Sequence, residues 1–213
     1  MEMFTIIAGA HGVGKTSFLG ALVDPRRYSG EIIDEDKLLS GCGEAAESAV
    51  MERIRNCTER SVPVTLKTSL SSNLEEFINE LKYAKQQRYK IELFYISIDS
   101  MEESIQRIKN RVKRGGRDVP QDEIVRCFEN RWISLSKILP YCDEVIFFAN
   151  DNGFEKVATW EKEWGCIPAT IVSRDEMDEE TFNTMMRRGL EEAMAGKSCP
   201  VNDFFAEIRK TFL

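Results

Sequence analysis

Short, nearly uninterrupted hydrophobic runs recur along the first two-thirds of the chain and alternate with segments of helical periodicity. The runs cover residues 3–8, 62–66, 91–98 and 144–149. Such runs are typical of strands that are buried on both faces of a parallel sheet. Helical patterns occupy residues 17–22, 44–57, 73–87, 101–114 and 122–139. This alternation predicts an α/β fold, a parallel sheet with helices on both faces, although the strand order cannot be deduced from the pattern.

Two of the predicted helices begin with a capping box, in which a serine is followed three residues later by a glutamate. Ser72 precedes Glu75 and Ser100 precedes Glu103 at this spacing. In a capping box the serine hydroxyl accepts a hydrogen bond from the main-chain N–H of the glutamate, so each serine is expected to be an N-cap.

The pattern changes after residue 152. A short edge strand is predicted at 169–172, a helix is predicted to follow the acidic segment 175–180, and a last amphipathic stretch covers 204–212. We therefore expect an α/β domain over residues 1–152 and a mostly helical C-terminal extension over residues 153–213.

Composition and charge exclude several classes of protein. The chain has 213 residues, of which 42% are hydrophobic and 31% charged, and its net charge is −7. This apolar content excludes a disordered chain, and no apolar run approaches the roughly 20 residues needed to cross a membrane. A net negative charge argues against nucleic acid as a partner. The first residues lack the cationic start of a signal peptide, so a cytoplasmic location is expected. Six cysteines without a C-x-x-C pair and a single histidine make a zinc site improbable.

The strongest motif is a phosphate-binding loop that follows the first predicted strand and opens a helix. Residues 9–16 match the pattern G-x4-G-K-S/T. Glycines let consecutive main-chain N–H groups turn toward a phosphate, and the lysine reaches the β- and γ-phosphates of a nucleotide. The Thr16 hydroxyl is the expected ligand of Mg²⁺, with ATP or GTP as the nucleotide. The predicted nucleotide-binding residues are Gly9, Ala10, His11, Gly12, Val13, Gly14, Lys15, Thr16 and Ser17.

Carboxylates after a short apolar pair are candidates for the acceptor side of a kinase. Asp34 and Asp36 follow Ile32 and Ile33, and a carboxylate here could accept the proton of the attacking hydroxyl. The alternative is an acidic, solvated loop. Thr68 and Ser69 follow another strand at the edge where open α/β sheets bind ligands, and they are predicted to contact the acceptor.

A basic helix supplies candidates for binding the transferred phosphate. Arg107, Arg111 and Arg114 share one face, and Gly115-Gly116 follows as a predicted hinge. The next helix carries Arg126 and Arg131. Arginines on a mobile hairpin above a phosphate loop can neutralise charge in the transition state, although a basic stripe can also be a solvated face. Asp99, at the end of a strand, is a further candidate for contacting Mg²⁺.

Five segments together resemble the zeta-toxin-like P-loop kinases of bacteria. The resemblance extends from about residue 5 to residue 152, and the segments that carry it are IIAGAHGVGKTSF, IIDEDKL, TLKTSLSS, RVKRGGRDVPQDEI and FFANDN. It implies a kinase that uses ATP and Mg²⁺ to phosphorylate the amino sugar of UDP-N-acetylglucosamine and is restrained by an antitoxin. It also implies that Asp36 activates the acceptor, and that Lys15, Arg111 and either Arg126 or Arg131 contact phosphate.

The sequence departs from this family at the acceptor side. Lys67 stands where the family usually has glutamate, and Arg117 replaces the usual histidine after the two glycines. The expected function is therefore transfer of the γ-phosphate of ATP to a hydroxyl of a small molecule, which could differ from UDP-N-acetylglucosamine. The alternatives are a housekeeping nucleoside or metabolite kinase, and a nucleotide-binding regulatory module in which Lys67 has abolished transfer.

Overall fold

A seven-stranded sheet forms the centre of the molecule. The structure is a computed structural model that describes residues 2–21, 30–39, 43–71, 73–161 and 165–168. The strands are β1 (Met3–Ala8), β2 (Glu31–Asp34), β3 (Val64–Thr68), β4 (Lys90–Ser97), β5 (Glu144–Ala149), β6 (Glu155–Glu161) and β7 (Gly165–Pro168). The helices are α1 (Lys15–Ala21), α2 (Glu35–Leu39), α3 (Gly43–Glu59), α4 (Leu74–Gln86), α5 (Met101–Lys113) and α6 (Gln121–Ile138). A 3₁₀ turn, Leu139–Tyr141, follows α6.

The strand order is β2-β3-β1-β4-β5-β6-β7. The first five strands in this order are parallel, whereas β6 and β7 are antiparallel to their neighbours. The predicted α/β fold is confirmed. Strand β1 lies between β3 and β4 and is parallel to both. The loop after β1 therefore emerges at the carboxyl edge of the sheet, where parallel sheets bind ligands.

Alternate residues of β1 face two separate cores. Phe4 and Ile6 pack with Ile54 of α3 and Leu81 of α4. On the other face Ile7 packs in a cluster around Phe18 of α1, whose ring contacts Phe94, Phe148 and Phe154 with centroids 4.8–5.6 Å apart. Helices therefore cover both faces of the sheet, as the uninterrupted apolar strands predict.

Two predicted boundaries are displaced for local reasons. The run predicted at 62–66 forms a strand from Val64, because Pro63 has no N–H to donate to a neighbouring strand. Helix α4 has Asn73 as its N-cap, with a φ of 43°, one residue after the predicted cap. Ser72 itself lies outside the described residues. The other predicted capping box is confirmed: the N–H of Glu103 donates to Ser100 Oγ over 3.2 Å.

The sheet continues beyond the predicted domain boundary. Residue 152 falls between β5 and β6, which are hydrogen-bonded neighbours. The segment after residue 152 thus begins with strands, although the division into 1–152 and 153–213 stays a prediction. The strand predicted at 169–172 and the helices predicted after residue 175 and over 204–212 lie outside the described residues. Among the described helices, none is both long and apolar enough to cross a membrane.

Candidate active site

The loop from Gly9 to Gly14 connects β1 to α1 and has a backbone that side chains would obstruct. Gly9 and Gly12 have φ values of 148° and 78°. A Cβ at Gly9 would lie 2.2 Å from the carbonyl oxygen of Ile96, and one at Gly12 would lie 2.7 Å from that of Ser104. Both positions therefore require glycine, which agrees with the spacing that predicts a phosphate-binding loop.

Two polar side chains from neighbouring elements fix this loop. Ser104 of α5 donates to the carbonyl oxygen of His11 over 2.6 Å, and the Asn150 side chain donates to that of Val13 over 2.8 Å. Asn150 follows β5, and its own N–H donates to the carbonyl of Ser97. Sequence reasoning assigned no role to either residue. The available signal for Asn150 was its position directly after a buried strand at the carboxyl edge of the sheet.

Lys15 lies inside the loop. Its Nζ donates to the carbonyl oxygens of Gly9 and Ala10 over 2.7 and 3.0 Å. The side chain is buried, and burial lowers the pKa of its ammonium group. The two hydrogen bonds hold Lys15 Nζ inside the predicted phosphate-binding loop.

Lys67 of β3 connects the loop to the neighbouring strand. Its Nζ donates to Thr16 Oγ1 over 2.8 Å and lies 2.6 Å from Asp34 Oδ2. The register of β2 and β3 pairs Asp34 with Lys67, so the two side chains are cross-strand neighbours. Lys67 is buried. The residue that departs from the expected glutamate thus forms a central contact of the site.

These contacts do not fit a divalent cation on Thr16. A magnesium ion would lie about 2.1 Å from the hydroxyl oxygen and would need further oxygen ligands around it. Lys67 Nζ occupies that side of Thr16 and also neutralises Asp34, the nearest carboxylate on the adjacent strand. Within the described ranges there is no group of three or more acidic, histidine or cysteine side chains that could hold a metal ion.

Asp36, the predicted acceptor-activating carboxylate, lies in the first turn of α2 beside the loop. Its Oδ1 is 4.0 Å from His11 Nδ1, and its carbonyl oxygen accepts a hydrogen bond from Arg117. Burial raises the pKa of the Asp36 carboxyl, but the positive charge of Lys15, with contributions from Lys67 and Arg117, outweighs this and lowers it overall. Asp36 is therefore ionised near neutral pH and able to accept a proton.

His11 is a buried residue of the loop, and its ring faces α6. Its Nε2 lies 3.2 Å from Glu123 Oε1. Burial, with the nearby charge of Lys15, lowers the pKa of His11 to about 4. The imidazole is consequently neutral at physiological pH.

The arginines of α5 make contacts with the main chain around the site. Arg107 donates to the carbonyl oxygen of Asn150 over 2.6 Å, and Arg111 Nε donates to that of Arg117 over 3.0 Å. Gly115, with a φ of 82°, ends α5, and its N–H donates to the carbonyl of Val112. The predicted Gly-Gly segment therefore terminates the helix. Arg117, which follows it, donates a hydrogen bond to the carbonyl oxygen of Asp36.

The other basic candidates lie elsewhere on the α5–α6 hairpin. Arg114 and Arg126 are exposed. The Arg131 guanidinium stacks on the Phe128 ring at 3.8 Å and donates to the Phe128 carbonyl. Burial lowers its pKa. Arg111 is thus linked to Asp36 through Arg117, whereas the Arg131 guanidinium lies over Phe128 and Trp132 of its own helix.

The predicted acceptor residues at the end of β3 are buried. Thr68 Oγ1 accepts a hydrogen bond from the N–H of Leu70 over 2.9 Å. The N–H of Ser69 donates to Glu35 Oε2 over 3.1 Å, and Ser69 Oγ is 2.7 Å from Ser71 Oγ. Glu35, a buried carboxylate that sequence reasoning did not select, therefore holds the turn after β3 next to the start of α2.

Asp99 is exposed, and its N–H donates to Asp151 Oδ1 over 2.9 Å. Nearby, a cavity of about 250 Å³ is lined by residues 149 and 151–155. It flanks the phosphate loop, because a Cβ at Gly14 would lie 2.6 Å from Asn150 Nδ2 and 3.4 Å from the ring of Phe154.

The sheet topology and the loop after β1 define a P-loop kinase-like α/β protein. The profile of the Zeta toxin family matches residues 43–153, which is more than half of the chain. The chain belongs to the Zeta toxin family. The matched region begins after the phosphate loop and Asp36, and it includes Lys67, Arg111 and Asn150.

Solved structures of low sequence identity share the fold. One, from the PezAT chromosomal toxin–antitoxin system of Streptococcus pneumoniae, is 14% identical with a TM-score of 0.52, covering 92% of this chain and 87% of that chain. The AvrRxo1-ORF1:AvrRxo1-ORF2 complex with sulphate ions is 18% identical with a TM-score of 0.52. A structure of that complex with ATP is 17% identical with a TM-score of 0.51. In both AvrRxo1 structures the match covers 76% of this chain and 59% of the other. None of the curated proteins matches in sequence.

Proposed function

We propose that the protein is a phosphotransferase that moves the γ-phosphate of ATP to a hydroxyl of a small molecule. The observation that carries this proposal is the arrangement of Lys15 and Asp36. A buried ammonium sits inside a glycine-dependent loop, and an ionised carboxylate lies beside that loop at the carboxyl edge of the sheet. A phosphate-binding cation next to a proton acceptor is the minimum that phosphoryl transfer to a hydroxyl requires.

The nucleotide would bind with its phosphates in the loop. Main-chain N–H groups of residues 9–17 and the N-terminus of α1 would surround the β-phosphate. Lys15 Nζ would exchange its hydrogen bonds with the carbonyls of Gly9 and Ala10 for phosphate oxygens. The base would enter the cavity lined by residues 149 and 151–155, which borders Gly14.

The acceptor would lie on the β2–β3 side of the loop. Asp36 would take the proton of the attacking hydroxyl, and its low pKa keeps it ready in the ionised form. Thr68 and Ser69, at the end of β3, would contact the acceptor near Asp36. A sugar nucleotide such as UDP-N-acetylglucosamine is the first candidate, since this chain is a member of the Zeta toxin family.

Arg111, together with Arg126 or Arg131, would neutralise charge that develops on the transferred phosphate. Arg111 is already oriented toward the site by its hydrogen bond to the carbonyl of Arg117. Arg126 and Arg131 would reach the phosphate only if their side chains leave their present positions on α6. We expect Arg117, bound to the carbonyl of Asp36, to support the same region.

An antitoxin protein is the proposed macromolecular partner. Support comes from the structural likeness to a protein of the PezAT toxin–antitoxin system, whose name describes such a pair. If the protein is a toxin, its induced expression should arrest growth, and coexpression of a partner encoded beside it should restore growth.

A nucleotide-binding regulatory module is the second candidate function. The observation in its favour is Lys67, which places a cation between Thr16 and Asp34. Such a protein would bind ATP and transfer no phosphate.

Incubation of the purified protein with γ-labelled ATP and a panel of acceptors tests these functions. Sugar nucleotides, nucleosides and small alcohols would be offered separately, with labelled GTP in parallel to determine the base preference. We expect label to appear in one acceptor class. ATP binding without labelled product, from the panel or from a cell extract, would favour the regulatory module. Absence of nucleotide binding would contradict both functions.

A further inference from the structure

Lys67 places a buried ammonium group between Thr16 and Asp34, and the roles proposed for Lys15 and Asp36 do not account for it. We propose that its ammonium group, held between Thr16 and Asp34, takes the place of a divalent cation on Thr16, so that this protein binds nucleoside triphosphate without needing a metal ion there. The inference rests on the proposed function, because it requires that the loop binds nucleotide. It concerns how charge is supplied to that same site.

The position of Lys67 is fixed by the sheet. It lies on β3, between β2 and β1, and its main-chain neighbours in the register are Asp34 on one side and Ile7 on the other. Its side chain is 5% exposed. A strand inside a sheet is less mobile than a surface loop, so the position of the Lys67 charge is well defined.

The contacts of Lys67 include the Thr16 hydroxyl, which is the expected ligand of a metal ion. Its Nζ is 2.8 Å from Thr16 Oγ1 and 2.6 Å from Asp34 Oδ2. A metal ion on Thr16 would have to approach this buried ammonium, and two cations at such a distance in a buried site repel each other strongly. The two groups are therefore alternatives at this position.

An ammonium group can also do what the metal would do for a phosphate. It has three N–H donors, of which two are directed at Thr16 and Asp34. The third N–H donor of Lys67 can be directed at a phosphate oxygen of a nucleotide bound in the adjacent loop. Together with Lys15, Lys67 would then supply two positive charges to the phosphates.

Lys37 provides the internal control. Its Nζ lies 3.9 Å from the same Asp34 carboxylate, but its side chain is 82% exposed. An exposed pair at this distance contributes little, because water screens it. Lys37→Met therefore removes a lysine from the same carboxylate without changing the buried charge beside Thr16.

The test measures ATP affinity by titration calorimetry in two buffers, one with excess Mg²⁺ and one with EDTA. For the unmodified protein we expect the two affinities to agree within about threefold, a difference below one charged hydrogen bond. For Lys67→Met we expect affinity in EDTA to fall by about tenfold or more, with a smaller loss when Mg²⁺ is present. Lys67→Arg should keep the metal independence, and Lys37→Met should behave as the unmodified protein.

Two outcomes overturn the proposal in distinguishable ways. If ATP binds well with Mg²⁺ and loses about tenfold or more in EDTA, the metal-replacement proposal is wrong while the proposed function stands. If ATP binds in neither buffer, both are wrong. Thermal unfolding and circular dichroism would show whether Lys67→Met is folded. If it is not, the unmodified protein and Lys67→Arg in the two buffers still decide the question.

Discussion

The two halves of the site, which meet at the same edge of the sheet, are built on different principles. On the nucleotide side, the loop after β1 depends on glycines and main-chain groups, and Lys15 is held by two carbonyl oxygens. On the acceptor side, at the ends of β2 and β3, side-chain charges make the contacts, and a buried lysine joins Thr16 to Asp34.

The two halves also differ in how strictly the local structure restricts the residue type at each position. The loop conformation leaves no room for a Cβ at Gly9 or Gly12, so its sequence is tightly constrained. On the proposed acceptor side, the charge of the buried Lys67 is balanced by Asp34, since an unpaired buried charge is costly.

The largest expected effect lies on the acceptor side, at Asp36. Asp36→Asn removes the proposed proton acceptor while leaving the loop unchanged, so transfer of labelled phosphate should fall by about 10²–10⁴-fold. ATP affinity, measured by titration, should change little. Asp122→Asn, an exposed position on α6, serves as the control. Equal transfer rates for Asp36→Asn and the control would exclude Asp36 as the base.

Lys15→Met tests the nucleotide side. The variant keeps much of the side-chain volume but removes the charge that would bind the β- and γ-phosphates, so transfer should fall by about 10²–10³-fold. In contrast to Asp36→Asn, ATP affinity should also fall. A variant that retains full ATP affinity would show that the loop is not the nucleotide site. Thermal unfolding of the variant checks that it folds, because Lys15 is buried.

Asp34→Asn tests how much the buried ion pair between Asp34 and Lys67 contributes to the stability of the protein. It leaves the buried Lys67 ammonium without its carboxylate, and we expect the free energy of unfolding to fall by about 3 kcal/mol. Urea unfolding followed by circular dichroism gives this value. Lys37→Met, which removes the exposed partner of the same carboxylate, should change stability by less than about 0.5 kcal/mol. Similar losses for the two variants would contradict the assignment of Lys67 as the buried partner.

An effect of similar size on stability is expected from His11, a loop residue whose Nδ1 lies 4.0 Å from Asp36 Oδ1. Its pKa in the folded protein is about 4, below the ordinary value of 6.5, so the unfolded chain binds a proton more readily than the folded one. Stability should therefore decrease as the pH falls from 6.5 toward 4, and His11 should contribute about 3 kcal/mol of that loss by pH 4. His11→Gln should remove this contribution. Parallel curves for the two proteins, from urea unfolding at a series of pH values, would refute it.

Local signals in the sequence were sufficient for most of the fold. The apolar runs at 3–8 and 144–149 coincide with β1 and β5, and the capping box at Ser100 places the start of α5. Strands β6 and β7 were not predicted, and the edge strand that was predicted after residue 152, at 169–172, lies outside the described residues. β6 pairs with β5 across a register shift between Phe147 and Phe148, and this irregularity weakens the alternation by which a half-buried strand is detected.

In the candidate site, too, one part could be predicted from the sequence and another could not. The phosphate loop is contiguous in sequence, so its glycines and lysine are visible as a motif. The contact between Lys67 and Thr16 joins residues that are 51 positions apart, and it depends on β3 lying beside β1. Strand order cannot be deduced from hydrophobic periodicity. The sequence alone therefore shows a charge reversal at position 67, but not which groups it contacts.

A crystal structure of the protein with a non-hydrolysable ATP analogue and Mn²⁺, with anomalous scattering used to locate the metal, tests the account most directly. We expect the phosphates of the analogue inside the loop formed by residues 9–16, with Lys67 Nζ still between Thr16 and Asp34 and no manganese peak on Thr16 Oγ1. A manganese ion bound to Thr16 Oγ1 with Lys67 turned away, or phosphates bound outside the loop, would contradict the account.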